Sequence, residues 1–305
     1  MYLHHVGHVV RDIGAASALY RRLGFLVPPP EFPVLPAAPG EPARPVGAGN
    51  THVNLARNFV ELVTVVDSDD VPHDAVLVPL DVPPAAVPQV SRGIAATAAR
   101  LSAALARREG VHILVLGTSD VDAAATRLAG EGVPHGGAQR LRRPSATGGE
   151  PVAIGWLEID PDAPEGRLAL AEDLPDGGCA EHPNGAIDLV EVILCVPDVD
   201  LDRHTSRYER YLAQPSRDAG DVRTVALGHD RVTVVAASAL HRLLPGEPAP
   251  TVPTIVGYVV SVADLDAVRE WLDRADLPAR TTPAGDVLVP GAAVLGAAVV
   301  FRAER

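Results

Sequence analysis

Short apolar runs rich in β-branched residues recur along the chain, each followed by a stretch of helical periodicity. Leu3–Asp12 (Leu-His-His-Val-Gly-His-Val-Val-Arg-Asp) reads as a strand. Ile13–Gly24, with Ala15, Leu19 and Leu23 at helical spacing, reads as a helix stopped by Gly24. Thr51–Leu55 and Phe59–Val66 (Phe-Val-Glu-Leu-Val-Thr-Val-Val) then form strands turning at Arg57-Asn58. The order returns with strand Val111–Gly117, helix Val121–Ala129 and strands near Ala138–Leu141, Pro151–Ile159 and Arg167–Glu172. A third unit has strand Leu189–Val196, helix Asp202–Ala213 and a hairpin of Val222–Leu227 with Arg231–Ala236. A fourth has strand Thr254–Val262, helix Leu265–Ala275 and strands Ala279–Thr282, Asp286–Val289 and Val294–Arg302. Proline and glycine crowd Val27–Ala48, and prolines break Asp67–Gln89, so both are expected as loops. Ser91–Glu109 is expected as a helix between the first two units. Leu174–Asn184 is the strongest linker signal and divides residues 1–176 from 183–305.

The unit starts line up as His5-Val-Gly-His-Val-Val-Arg-Asp, His112-Ile-Leu-Val-Leu-Gly-Thr-Ser, Glu191-Val-Ile-Leu-Cys-Val-Pro-Asp and Gly257-Tyr-Val-Val-Ser-Val-Ala-Asp. Each strand runs into a helix opened by Asp, Ser or Thr, which are N-cap residues. Histidine leads the first two starts and not the last two. The N-terminal pair is therefore expected to carry the chemistry, and the C-terminal pair to be structural or an interface.

Glu61 sits among Val, Leu and Val in mid-strand, where an unpaired carboxylate is costly. A metal shared with a histidine would be one partner. His52 and Asn54 share a face of the neighbouring strand and are candidate substrate contacts; Trp156 is a core residue or a substrate wall. His8, three positions after His5, points to the opposite face and is expected to be packed.

Composition narrows the classes. With 305 residues there is length for two cores, and a net charge of −13 disfavours general binding to nucleic acid or anionic membranes. No apolar run reaches the ~20 residues of a membrane span, and no signal-peptide pattern opens the chain, so a cytoplasmic location is expected. All 26 basic residues are arginine, which removes Schiff-base chemistry and suggests a GC-rich bacterial coding sequence. Cys179 and Cys195 belong to no motif. Gly-x-Gly-x-x-Gly, P-loop and Gly-x-Ser-x-Gly patterns are missing, so dinucleotide, nucleotide and serine-hydrolase chemistry have no support.

The phrases His5-Val-Gly-His-Val-Val-Arg-Asp with Ala18-Leu-Tyr-Arg-Arg-Leu-Gly-Phe, Thr51-His-Val-Asn and Phe59-Val-Glu-Leu resemble the vicinal oxygen chelate superfamily. That superfamily includes glyoxalases, extradiol dioxygenases and bleomycin-resistance proteins, and the chain is similar to its long glyoxalase-like type. The resemblance implies an α+β fold of four βαβββ modules, paired into two curved, open, barrel-like mixed sheets. It also implies a divalent transition metal (Zn, Ni, Fe, Co or Mn) on His5, Glu61, His112 and Glu172, with Glu158 as a rival to Glu172. Glu61 or Glu172 would move a proton on a small substrate with vicinal oxygens, giving an isomerase, epimerase or lyase. Two other readings are an iron dioxygenase using His5, His112 and Glu172, and a metal-free protein that sequesters a drug-like molecule. The low aromatic content, 4%, weighs against the last. The expected partners are a small-molecule ligand and a second copy of the chain.

Overall fold

The structure is a computed structural model and describes residues 1–36, 41–66, 71–143, 152–172, 181–248 and 250–304. The first module comprises β1 (Tyr2–Val9), α1 (Ile13–Arg22), β2 (Glu31–Pro36), β3 (Ala43–Pro45), β4 (Ala48–Asn54) and β5 (Phe59–Val65). After β6 (Val76–Pro79) and α2 (Val87–Arg107) come β7 (Gly110–Gly117), α3 (Val121–Gly130), β8 (Gln139–Arg143), β9 (Val152–Ile159) and β10 (Arg167–Ala171). The third module is β11 (Ala186–Val196), α4 (Leu201–Leu212), β12 (Ser216–Asp218), β13 (Val222–Leu227) and β14 (Asp230–Ala236). The fourth is β15 (Thr254–Val262), α5 (Leu265–Arg274), β16 (Arg280–Thr281), β17 (Val287–Val289) and β18 (Ala298–Ala303).

Two open mixed sheets result, ordered β3-β2-β4-β5-β1-β7-β10-β9-β8, with β6 on β2, and β12-β13-β14-β11-β15-β18-β17-β16. In each, the first strands of two modules pair antiparallel at the centre: β1 with β7, and β11 with β15. These central strands are covered on both faces, which is why they read as near-continuous apolar runs. Asp12 and Asp120 cap α1 and α3 by accepting from the amides of Ala15 (2.9 Å) and Ala123 (2.8 Å).

Two expectations for loops are corrected. The proline-rich stretch contains β2 and β3, and Asp67–Gln89 contains β6 and the start of α2. Prolines are tolerated there because β3 and β6 flank β2 at the margin of the sheet, where few ladder donors are needed. Residues 67–70, most of the linker (173–180) and Cys179 lie outside the described residues.

Alternation along the strands divides the apolar residues between two cores. Leu114, Leu116, Leu168 and Leu170 face the main core, which runs between the sheets and reaches Val192, Tyr258 and Phe301. Ile113, Val115, Ala169 and Ala171 face the other way and pack with Leu101 and Leu105 of α2. The helix thus lies across the outer face of the first sheet. Between the sheets, Asn58 donates to the carbonyls of Leu3 (3.2 Å) and Leu189 (2.8 Å) and accepts from the Leu189 amide (2.8 Å). His8 is fully buried in the same joint. Its Nε2 donates to Leu295 O (2.8 Å), so its Nδ1 accepts from the Tyr20 hydroxyl (2.8 Å), which in turn lies 2.7 Å from the Tyr258 hydroxyl.

Burial pulls the His8 pKa down to about 4. Its folded pKa lies below its unfolded one, so the unfolded chain takes up the proton first and stability falls with pH. Denaturant titrations should show a His8 contribution that is intact above about pH 6.5 and declines toward pH 4, reaching up to about 3 kcal/mol. A His8→Phe variant that kept the full slope in that window would contradict this.

Candidate functional site on the outer face of the first sheet

Glu61 stands at the centre of β5, opposite Gly7 of β1 and His52 of β4. Gly7 leaves room for it: a Cβ there would lie 3.1 Å from Glu61 Oε2 and 2.7 Å from Ile113 Cβ. Glu61 Oε1 accepts from Asn50 Nδ2 at 2.8 Å and lies 4.0 Å from His52 Nε2. Its Oε2 lies 4.0 Å from His5 Nε2. The His5 ring stacks on Phe59 (4.3 Å between centroids, 12° between planes), and its Nδ1 lies 2.8 Å from His4 Nδ1, one ring donating and the other accepting. His5 is 8% exposed and the His52 side chain 41%, so solvent reaches the carboxylate from the β4 side. Burial, reinforced by His4, His52 and Arg167, holds the His5 pKa well below that of a free imidazole. His5 is therefore neutral at physiological pH and offers Glu61 a polar neighbour rather than a cation.

The pairing of β1 with β7 decides what stands opposite this group. His5 pairs with Val115 and Gly7 with Ile113; Leu3 pairs with Leu116 and His8 with Val111. Each relation has its mirror image, so the two modules are related by an approximate two-fold axis through the Val6–Leu114 pair. The helix caps Asp12 and Asp120 keep the same count. Under this relation His4 corresponds to His112, His5 to Ile113 and Gly7 to Val115. Glu61, opposite Gly7, corresponds to Ala169, opposite Val115.

The alignment of His112 with His5 is thus displaced by one residue, and Glu172 lies beyond the end of β10. His112 Nε2 lies 3.1 Å from Arg108 O, and its Nδ1 is buried without a partner among the described residues; burial, with Arg108 nearby, takes its pKa to about 4. Glu172 is ion-paired to Arg140 at 3.0 Å. Glu158, opposite Ala169, pairs with Arg100 and Arg167. Among the described residues no three His, Cys, Asp or Glu side chains are placed to hold a metal ion. Ile113 and Ala169 offer no lone pair, so the residues present do not fit the four-ligand metal set that the resemblance implies. Trp156 is half-buried, with the Arg167 guanidinium 5.1 Å over its ring, and Asn54 is exposed at the end of β4, its carbonyl accepting from His182 Nε2 at 2.8 Å. Asn50 is the partner that the sequence reading missed, although it lies two residues before His52 on the same strand face.

The second sheet treats its own buried carboxylate differently. Glu191 contacts Arg302 (2.5 Å) and Arg231 (2.6 Å) and accepts from Thr233 (2.5 Å). Burial would raise its pKa, but the two guanidiniums and the hydroxyl hold it below the usual carboxylate range.

The sequence matches a family model described as a glyoxalase-like domain over residues 3–212. No curated protein matches it. Among solved structures it is similar to a hypothetical protein from Staphylococcus aureus, with 12% identity, 99% of each chain covered and a TM-score of 0.59. It is also similar to the Mn(II)-bound glyoxalase from Novosphingobium aromaticivorans, with 12% identity, 99% of this chain and 82% of that one covered and a TM-score of 0.57. A third similar structure is a mutant 4-hydroxymandelate synthase from Streptomyces coelicolor, with 15% identity, 93% and 77% covered and a TM-score of 0.55. At these identities the likenesses concern the fold.

Restoring the missing half of the ligand set should create a metal site. The double variant Ile113→His, Ala169→Glu is expected to bind Mn(II) or Ni(II) at least about tenfold more tightly than the parent by titration calorimetry. Stoichiometric transition metal retained by the purified parent, or no gain in the variant, would contradict the assignment.

Proposed function

This chain belongs to the glyoxalase-like domain family, within the vicinal oxygen chelate superfamily, and we propose that it is an enzyme that moves a proton on a small substrate bearing two neighbouring oxygens. The observation that carries this reading is the convergence of His5, His52 and Asn50 on the Glu61 carboxylate in mid-strand. Glu61 acts as general base, taking a proton from the carbon beside a substrate carbonyl and returning it to the same or the neighbouring carbon. The Asn50 amide fixes one carboxylate oxygen and leaves the other free toward His5. His52, whose side chain is 41% exposed, supplies a ring N–H toward the oxygen on which negative charge develops. Return to the neighbouring carbon gives an isomerisation; return to the opposite face of the same carbon, once the intermediate has turned in the site, gives an epimerisation.

The Mn(II)-bound glyoxalase among the similar structures speaks for a metal in this fold, but Ile113 and Ala169 occupy the positions from which the second pair of ligands would come. The proton transfer is accordingly assigned to these side chains alone. The same loss of ligands favours a second reading, in which the Glu61 face of the sheet binds a small molecule without turnover.

The reading is tested by solvent-deuterium incorporation, followed by NMR, at the carbon next to the carbonyl in a panel of hydroxyketones, 2-oxo acids and 2-hydroxy aldehydes. The parent protein is expected to exchange at least one member, and Glu61→Gln to lower that rate about 100-fold or more. Exchange that survives in Glu61→Gln would overturn the role of Glu61. Binding without exchange across the panel would favour sequestration.

A further inference from the structure

Consecutive side chains of a regular strand point to opposite faces and do not meet. On β1, His4 and His5 do meet: their Nδ1 atoms lie 2.8 Å apart and their ring centroids 5.0 Å. The ladder explains the contact. Its register steps from Leu3–Leu116 to His5–Val115, two residues of β1 against one of β7, so His4 is the extra residue of a bulge. A bulge re-aims a side chain, and this one brings a buried imidazole against the ring that faces Glu61. Phe59 of β5 touches all three imidazoles of the group. His5 stacks on it, His4 meets it edge-on at 5.4 Å between centroids, and His52 lies tilted at 4.6 Å.

One hydrogen lies between the two Nδ1 atoms, and the ring that owns it decides what the far end of His5 presents. Were it His5, the neutral ring would turn a bare Nε2 lone pair toward Glu61 Oε2 at 4.0 Å, two electron-rich atoms facing each other beside a buried ring. With His4 as owner, Nε2 carries the His5 proton and an N–H dipole faces the carboxylate instead. Electrostatics therefore selects the second arrangement.

We propose that His4 is a positioning residue: by donating from Nδ1 to His5 Nδ1 it fixes the His5 tautomer with its proton on Nε2, so that a ring N–H faces Glu61 and the substrate. The tautomer stands on this geometry, and its use in turnover rests on the proton-transfer reading of Glu61. His5 and His52 stand 4.0 Å from opposite oxygens of that carboxylate. They then offer one N–H to each of two neighbouring substrate oxygens and stabilise the negative charge that develops there as the proton leaves carbon. A ring in this form has no lone pair at Nε2 for a cation, in keeping with Ile113 and Ala169 at the two remaining ligand positions.

The test is long-range proton–nitrogen correlation NMR of the full chain, isotope-labelled at the histidine nitrogens, near neutral pH. The signals lost in His5→Gln assign the ring. The parent is expected to show His5 with a protonated Nε2 and a bare Nδ1. His4→Asn, which keeps an N–H donor at that place, should preserve the pattern, whereas His4→Asp should bring a proton onto His5 Nδ1. A bare Nε2 in the parent, or a pattern indifferent to His4→Asp, would overturn the proposal; the parent spectrum decides alone should a variant fail to fold. In the deuterium-exchange assay His4→Leu should lose about tenfold or more, and His4→Asn should rescue that loss. Equal losses in the two variants would make His4 a structural residue and overturn its positioning role. A parent that exchanges nothing would sink the proton-transfer reading, while the spectra still report the tautomer.

Discussion

The antiparallel pairing of β1 with β7 is the constraint on which the rest of the molecule depends. It joins two modules into one sheet, and its register fixes which side chains meet across the two-fold axis. A one-residue slip of β1 would turn His5 toward the main core, and a slip of β7 would bring Leu114 out under α2. The observed register instead sets Gly7 beside Ile113, so that Glu61 and the isoleucine lean over the same bare stretch of backbone. From that single juxtaposition follows the lopsided site, with its polar groups on one side of the axis and an apolar wall on the other.

Both sheets face the same electrostatic problem, a carboxylate in the middle of an apolar strand, and solve it in opposite ways. Glu191 is locked by Arg231, Arg302 and Thr233, which satisfy it and leave nothing for chemistry. Among the described residues Glu61 has one close partner, Asn50, while two imidazoles stand off at 4.0 Å. The incompletely tied carboxylate is the one to which the proposed proton transfer is assigned. Elsewhere, histidines are spent on structure: His8 ties Tyr20 to Leu295, and His182 ties the Leu26 amide to Asn54 O.

Much of this was legible in the chain itself. Periodicity located the repeating modules, alternation put Glu61 in mid-strand beside His52, where the structure places it, and three-residue spacing put His8 on the far face from His5. What misled was the second half of the site. His112 follows a glycine at a strand start, as a ligand histidine would, but irregularities in the β1–β7 ladder let it correspond to His4. Only the helix caps, Asp12 and Asp120, preserve the true count, and they lie too far from the histidines to draw the eye. The marginal strands β2, β3 and β6 were hidden by proline, whose cost falls when a strand needs few ladder donors. The unmet Nδ1 of His112 depends on contacts that no sequence pattern encodes.

The register is therefore where the account is most exposed. Nuclear Overhauser contacts in isotope-labelled protein test it directly. A contact between the Gly7 α-protons and the Ile113 methyls, with the His5 amide facing Val115, is the predicted result. Contacts shifted by one residue, with the His112 ring facing Gly7 and Glu61, would contradict it.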